Sequence, residues 1–168
     1  MKRVMIDIET LGLDRDSVIL SIGAIDCEHF NNQFYRELDI TDQLRRTVDL
    51  NTLRWWLTQE TPMPVHGNTV LKVVLEELTT FLLGTEEVWA KGPQFDFMIL
   101  EHAFRSYQLQ VPWKYNQVRD LRTLKSMYPG LAWAENTNKH NALSDARFQA
   151  EQLNRLQEYV DGKHSPVS

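Results

Sequence analysis

Asp7 and Glu9 stand two apart in the apolar opening run MKRVMIDIET. In an extended chain a period of two sends both carboxylates to one face and Ile6 and Ile8 to the other. Two acids on one face of an interior strand are expensive unless something cationic is bound there. Hard divalent cations such as Mg²⁺ or Mn²⁺ prefer such oxygen ligands, while the plainer reading is a solvent-facing edge strand with two ordinary acids. A third acid, Asp96, follows Gly92-Pro93-Gln94-Phe95. It falls in the first turn of the next helix, where it also complements the helix dipole. The last group is His140-Asn141-Ala142-Leu143-Ser144-Asp145. Residues five apart on a continuous helix diverge by roughly 140°. His140 and Asp145 can therefore face one site only if His140 lies in the preceding loop and Asn141 caps the helix.

The elements that must position these groups are legible in the periodicity. Segments 2–9 and 18–27 are β-prone and separated by a turn at Gly12, and 33–38 supplies a third strand, so an antiparallel meander is expected. Segment 51–59 has Leu53, Trp56 and Leu57 at helical spacing, and 61–67, with two prolines and a glycine, reads as a loop. A helix over 69–83, capped by Asn68 and ended by Gly84, gathers Val70, Val73, Val74, Leu78, Phe81 and Leu82 on one face. Strand 87–92 followed by helix 95–107 suggests a crossover onto the same sheet. A fifth strand over 116–121 and a short helix over 122–127 come next. Leu143, Ala146, Ala150, Leu153, Leu156 and Val160 then recur at spacings of three and four, marking a long final helix. The expectation is one α/β domain over 1–161 with a mixed sheet of about five strands, and a frayed tail at 162–168.

Composition bounds the function. The 168 residues are 42% hydrophobic and 24% charged, as in an average globular domain. A single cysteine, Cys27, excludes an internal disulfide framework and a Cys-based zinc cluster, and suits a reducing compartment. Acids at positions 7 and 9 come too early for a signal peptide, and no run approaches the ~20 apolar residues of a membrane span. A cytoplasmic protein without membrane contact is expected. The net charge of −5 provides no global basic field, which argues against a simple polyanion-binding module. It does not argue against an enzyme acting on nucleic acid, because bound divalent cations neutralise an acidic site.

Taken in order, D-x-E-T-x-G (Asp7, Glu9, Thr10, Gly12), the Phe95-Asp96 pair and H-x-A-x-x-D (His140, Ala142, Asp145) resemble the three motifs of the DEDDh exonucleases. That family includes proofreading subunits of DNA polymerases and oligoribonucleases, all on a ribonuclease H-like fold. Segments 53–59, 89–92 and 119–124 look most like a compact bacterial and phage exoribonuclease-like branch. Two positions depart from the common pattern: Pro93-Gln94 replaces a frequent Asn before Phe-Asp, and Leu11 stands where a second Thr is frequent.

The resemblance implies a 3′-to-5′ exonuclease using two divalent cations, Mg²⁺ or Mn²⁺, held by Asp7, Glu9, Asp96 and Asp145, with Asp7 bridging and His140 as general base. It implies a single-stranded DNA or RNA 3′ end as partner, 5′-mononucleotides as products, and Thr10, Leu11 and Phe95 as contacts to the terminal nucleotide. Leu13 is either a further wedge or core packing. Lys91, Arg119, Arg122 and Lys139 are candidate phosphate contacts. Trp55 or Trp56, together with Trp113 and Trp133, are candidates for a homodimer interface or a substrate wall. Two other readings stand beside this one. The D-x-D-x-T motif of haloacid-dehalogenase phosphatases is approached by Asp7-Ile8-Glu9-Thr10, but Glu9 has the wrong length and His140 is left without a role. A catalytically silent ribonuclease H-like interaction domain is the non-enzymatic alternative; the five intact positions give it no support.

Overall fold

The computed structural model describes residues 1–131, 133, 134, 136 and 140–162. The meander forms as expected from β1 (Arg3–Thr10), β2 (Ile19–Asp26) and β3 (Gln33–Glu37). Two parallel strands, β4 (Glu87–Ala90) and β5 (Val118–Asp120), extend it into a five-stranded mixed sheet of order β3-β2-β1-β4-β5. β1 is thus the pivot, antiparallel to β2 on one side and parallel to β4 on the other. A parallel join requires a crossover. The chain makes the first through α1 (Leu50–Trp56) and α2 (Leu71–Phe81) and the second through α3 (Pro93–Ser106). The short α4 (Leu121–Ser126) and the long α5 (Ala142–Val160) complete the fold.

The alternation of β1 sorts its side chains between two cores. Val4, Ile6 and Ile8 pack with Val74, Leu78, Ile99, Leu100 and Phe104 of α2 and α3. Met5 packs on the opposite face with Ala146, Ala150 and Leu153 of α5 and Leu121 of α4. Asp7 and Glu9 share the face of Met5, so the odd positions look toward α5. A third, smaller cluster of Leu11, Val18, Leu20 and Trp56 seats α1 beside the end of β1.

Four expectations are corrected. Helix α2 starts at Leu71 and is not capped by Asn68: Val70 holds the cap position without a side-chain bond, and the Leu71 N–H donates to Asp42 Oδ2 at 3.2 Å. Val73 is not on its buried face but 40% exposed. The fifth strand is shorter than 116–121 because Tyr115–Gln117 form a 3₁₀ turn. Trp113 is a core residue, its ring tilted against Phe97 at 5.1 Å and edge-on to Phe104 at 5.8 Å, and offers no surface to a second copy. The candidate phosphate contact Lys139 and the tail beyond Gly162 lie outside the described residues. No helix among the described residues is long and apolar enough to cross a membrane.

Candidate active site

Asp7 and Glu9 line the floor of a cleft at the end of β1. Their neighbours across the ladder are Gly23 and Ser21 of β2. Gly23 is the reason α5 reaches this floor: a Cβ there would fall 2.3 Å from the Ala142 carbonyl carbon and the Leu143 nitrogen. Only a bare backbone lets the first turn of α5 lie directly on the sheet. Asn141 caps that turn, as expected, accepting the Ser144 N–H at 3.0 Å. Asp145, in the same turn, comes down beside the β1 acids, and oxygen atoms of Asp7, Glu9 and Asp145 all lie within 4.8 Å of one another.

His140 does lie outside the helix. Its backbone is left-handed, with φ 67. The Asp145 carboxylate fastens this bend, accepting the His140 N–H at 2.7 Å and the Asn141 N–H at 3.3 Å, while Asn136 Nδ2 donates to its other oxygen at 2.6 Å. The fourth acid arrives from another direction. Gly92 takes φ 110, a conformation that favours glycine, and Pro93 opens α3 in the next position. Asp96 then points back at β1 and accepts the Ile8 N–H at 3.2 Å. It lines the same cavity as the other three acids and His140, a space of about 240 Å³, but stands apart from the tight trio.

The electrostatics of this floor are unfavourable without a cation. Burial pushes the Asp7 carboxyl well above the ordinary range, and the charges of Asp96, Glu9 and Asp145 push it further, with only the Gln149 hydrogen bond acting the other way. Glu9 is raised from 4.5 to about 8, by burial first and then by Asp145 and Asp96. Burial also raises Asp96, against the pull of its backbone hydrogen bonds and of Arg122. Such crowding of buried carboxylates is relieved by an ion that takes oxygen ligands, so the donor set fits a hard divalent cation.

An apolar pocket of about 410 Å³ adjoins the acids, sharing Ile8, Glu9 and Phe95 with the acidic cavity. Thr10 and Phe95, two of the three residues named as nucleotide contacts, line it, and so does Leu13, which is 68% exposed and therefore no core residue. Leu11 does not. Its side chain is buried with Val18, Leu20 and Trp56 because its N–H and carbonyl are held by Val18 and Asp49. It supports the pocket wall from behind. Trp56, also buried, donates its indole N–H to the Thr10 carbonyl at 2.9 Å. Trp55 is the open wall, 40% exposed, with its ring edge-on to His140 at 4.7 Å.

Among the basic candidates, Lys91 and Arg122 line the acidic cavity. Arg119 does not, being paired with Glu87 at 3.1 Å on the same face of the sheet but toward the start of β1, away from the acids. Trp133 lies under the Lys125 ammonium, 4.4 Å from it. One contributor escaped the sequence reading altogether: Gln149, one turn beyond Asp145 on α5, donates from Nε2 to Asp7 Oδ1 at 2.8 Å. Its distance of four from Asp145 was the available signal, since i and i+4 share a helical face.

Comparison with known proteins agrees with this arrangement. Residues 2–157 match the family described as the 3′-5′ exoribonuclease Rv2179c-like domain. Comparison with curated protein sequences gives no significant match. Among solved structures the chain is similar to exonuclease I, with a TM-score of 0.70 at 14% identity, over 96% of this chain and 43% of that one. This chain thus spans less than half the length of that relative, whose E. coli form has also been solved with single-stranded DNA. It is similar to the nuclease domain of 3′hExo, a DEDDh family member bound to rAMP (TM-score 0.63, 12% identity, 96% of this chain and 92% of that one). It is also similar to S. pombe Pop2p in an Mg²⁺- and Mn²⁺-bound form (0.67, 14%, 95% and 84%). These likenesses establish the ribonuclease H-like exonuclease fold. With the motifs assembled around one acidic floor and the match covering nearly the whole chain, the protein belongs to the Rv2179c-like 3′-5′ exoribonuclease domain family.

Proposed function

We propose that this chain removes 5′-mononucleotides one at a time from the 3′ end of single-stranded nucleic acid. The observation that carries the reading is the half-buried trio of Asp7, Glu9 and Asp145, with oxygens within 4.8 Å, faced by Asp96 and His140 across one cavity. The four carboxylates would hold two divalent cations, Mg²⁺ or Mn²⁺, whose four positive charges balance four negative side chains. Bound there, such ions supply Lewis-acid stabilisation of the scissile phosphate and of the departing 3′-oxygen.

The chain's own residues do the rest. His140 accepts the proton of the attacking water, and its left-handed backbone, pinned by Asp145, keeps the ring over the acids. Trp55, edge-on to that ring, limits its swing. Thr10, Leu13, Phe95 and Trp55 enclose the last base and sugar, and Lys91 and Arg122 face the phosphate at the rim of the acidic cavity. Aromatic and apolar walls of this kind accept any base, since every base has a stacking face. The family description favours RNA over DNA as substrate.

The reading is tested with single-stranded RNA and DNA oligonucleotides labelled at the 5′ end, with Mg²⁺ or Mn²⁺ and with chelator. A ladder shortening from the 3′ end, abolished by chelator and by a 3′-phosphate, is the expected result. Cleavage of a circular single strand, or shortening that proceeds in chelator, overturns it.

A further inference from the structure

A second cavity, also of about 410 Å³, lies away from the acids between the 42–46 segment and the later turns of α3. It is lined by Asp42, Gln43, Leu44, Arg45, Arg46, His102, Ser106 and Tyr107, a basic lining in a protein of net charge −5. Arg46 is held rigidly at its edge, donating from Nε to the Ser17 carbonyl at 2.7 Å and from Nη2 to the Arg15 carbonyl at 3.3 Å. Its third nitrogen, Nη1, is buried and has no hydrogen-bond partner among the described residues, and the same holds for His102 Nδ1. Buried polar atoms without partners are rare and point to an absent ligand or water.

The surrounding charge has a definite sign. Arg15 and Arg105 join Arg46 in acting on His102, whose pKa is lowered by burial first and by these three arginines next, with Asp16 opposing them. Arg105 is taken by Glu101 at 2.7 Å, and the one carboxylate in the lining, Asp42, already accepts from Leu71 N–H and Tyr107 O–H. The Arg45 guanidinium and the unpartnered Nη1 of Arg46 thus remain for an anion, with Asp16 the acid that acts on Arg46 from outside the lining.

Two segments join this cavity to the nucleotide pocket. Phe95 lines the pocket and His102 the cavity, seven residues on along α3, two turns or roughly 10 Å on the same flank of the helix. Asp49 lines the pocket and Arg46 the cavity, three residues apart on the other segment. With the last nucleotide in the pocket and its phosphate at the acids, the phosphate that meets Arg46 and His102 is an earlier one, on a strand that turns back past the pocket.

We propose that the cavity lined by Arg45, Arg46 and His102 binds a backbone phosphate of the same single strand, behind the terminal nucleotide. This rests on the exonuclease reading above, and makes the enzyme bind longer single strands more tightly than a dinucleotide. The test is fluorescence anisotropy in chelator, where nothing is cut, with 5′-fluorescein-labelled dinucleotides and single strands about eight nucleotides long. Wild type is compared with Arg45→Gln, His102→Gln and the double variant, each shown to melt normally. The double variant is expected to bind the longer strand about tenfold more weakly, to lose about 0.7 from the slope of log affinity against log salt, and to bind the dinucleotide as wild type does. Unchanged affinity for the longer strand, or equal weakening for both lengths, overturns the cavity's role and leaves the exonuclease reading standing. Wild type that binds neither oligonucleotide overturns the cavity's role, and the exonuclease reading stands or falls on its own cleavage assay with metal present.

Discussion

The two adjoining walls of the cleft are built on opposite principles. The acidic floor consists of charges that the fold forces together: Asp7 and Glu9 by strand alternation, Asp145 by the close seat of α5 on Gly23, Asp96 by the turn at Gly92. The adjoining pocket is made of mostly apolar surface left open, with Leu13 and Trp55 exposed beside buried Trp56 and Leu11. One wall is held under electrostatic stress and the other is unfilled. On the proposed reading the stress would set the chemistry, because an ion that relieved it would sit against the phosphate. The open wall would set affinity, because stacking adds binding without discriminating among bases. His140 touches both, lining the acidic cavity while its ring meets Trp55.

Substitutions on the two walls should therefore fail in different kinetic terms. Asp7→Asn should reduce turnover to background in Mg²⁺ or Mn²⁺ while the protein stays folded; near-normal kcat would break the assignment of the floor. His140→Asn should lower kcat by about 10² to 10⁴ with metal binding retained, the loss typical of a removed general base. A variant with full kcat and weakened metal affinity would make His140 part of the floor. Trp55→Ala should act mainly on KM, raising it about tenfold, since stacking is worth ~1–3 kcal/mol per base. A larger loss in kcat than in KM would show that Trp55 serves chiefly to hold His140. The smallest effect is structural. Gly23→Ala pushes α5 off the sheet and should cost about 1–3 kcal/mol, read as a fall in Tm.

The floor was more legible in the sequence than the pocket, for a physical reason. Strand alternation at Asp7 and Glu9, the Asn141 cap and the exclusion of His140 from α5 are local regularities, carried by spacing within a few residues. The pocket depends on which distant segments meet. Leu11 and Leu13 look equivalent in the sequence, and only the pairing of Leu11 with Val18 and Asp49 buries one and exposes the other. The start of α2 was misplaced because its first N–H is satisfied by Asp42, across 29 residues, rather than by a neighbour. Gln149 sits off the apolar stripe of α5 and acquires a role only through Asp7.

The stress on the floor can be measured without substrate. Glu9 is raised to about 8 in the folded chain and Asp7 is raised well above its ordinary value. A carboxyl whose folded pKa is raised stabilises the fold at low pH and loses that contribution as the pH rises through the folded value. The depressed carboxyls, Asp26, Asp39 and Asp49, act only in the acid range, while His102, depressed, acts in the opposite sense near its own titration. Asp7→Asn leaves those groups in place, so the difference between variant and wild type isolates the floor. The decisive measurement is the Tm of both proteins in chelator at about pH 5 and about pH 8, repeated with Mn²⁺. Metal-free Asp7→Asn should melt above wild type at pH 8, by roughly 5 °C for a chain of this size, and the gap should shrink at pH 5. Mn²⁺ should raise wild type at pH 8 and leave the variant nearly unmoved. Equal melting of the two metal-free proteins at both pH values, with no response of wild type to Mn²⁺, would contradict a cation-binding floor.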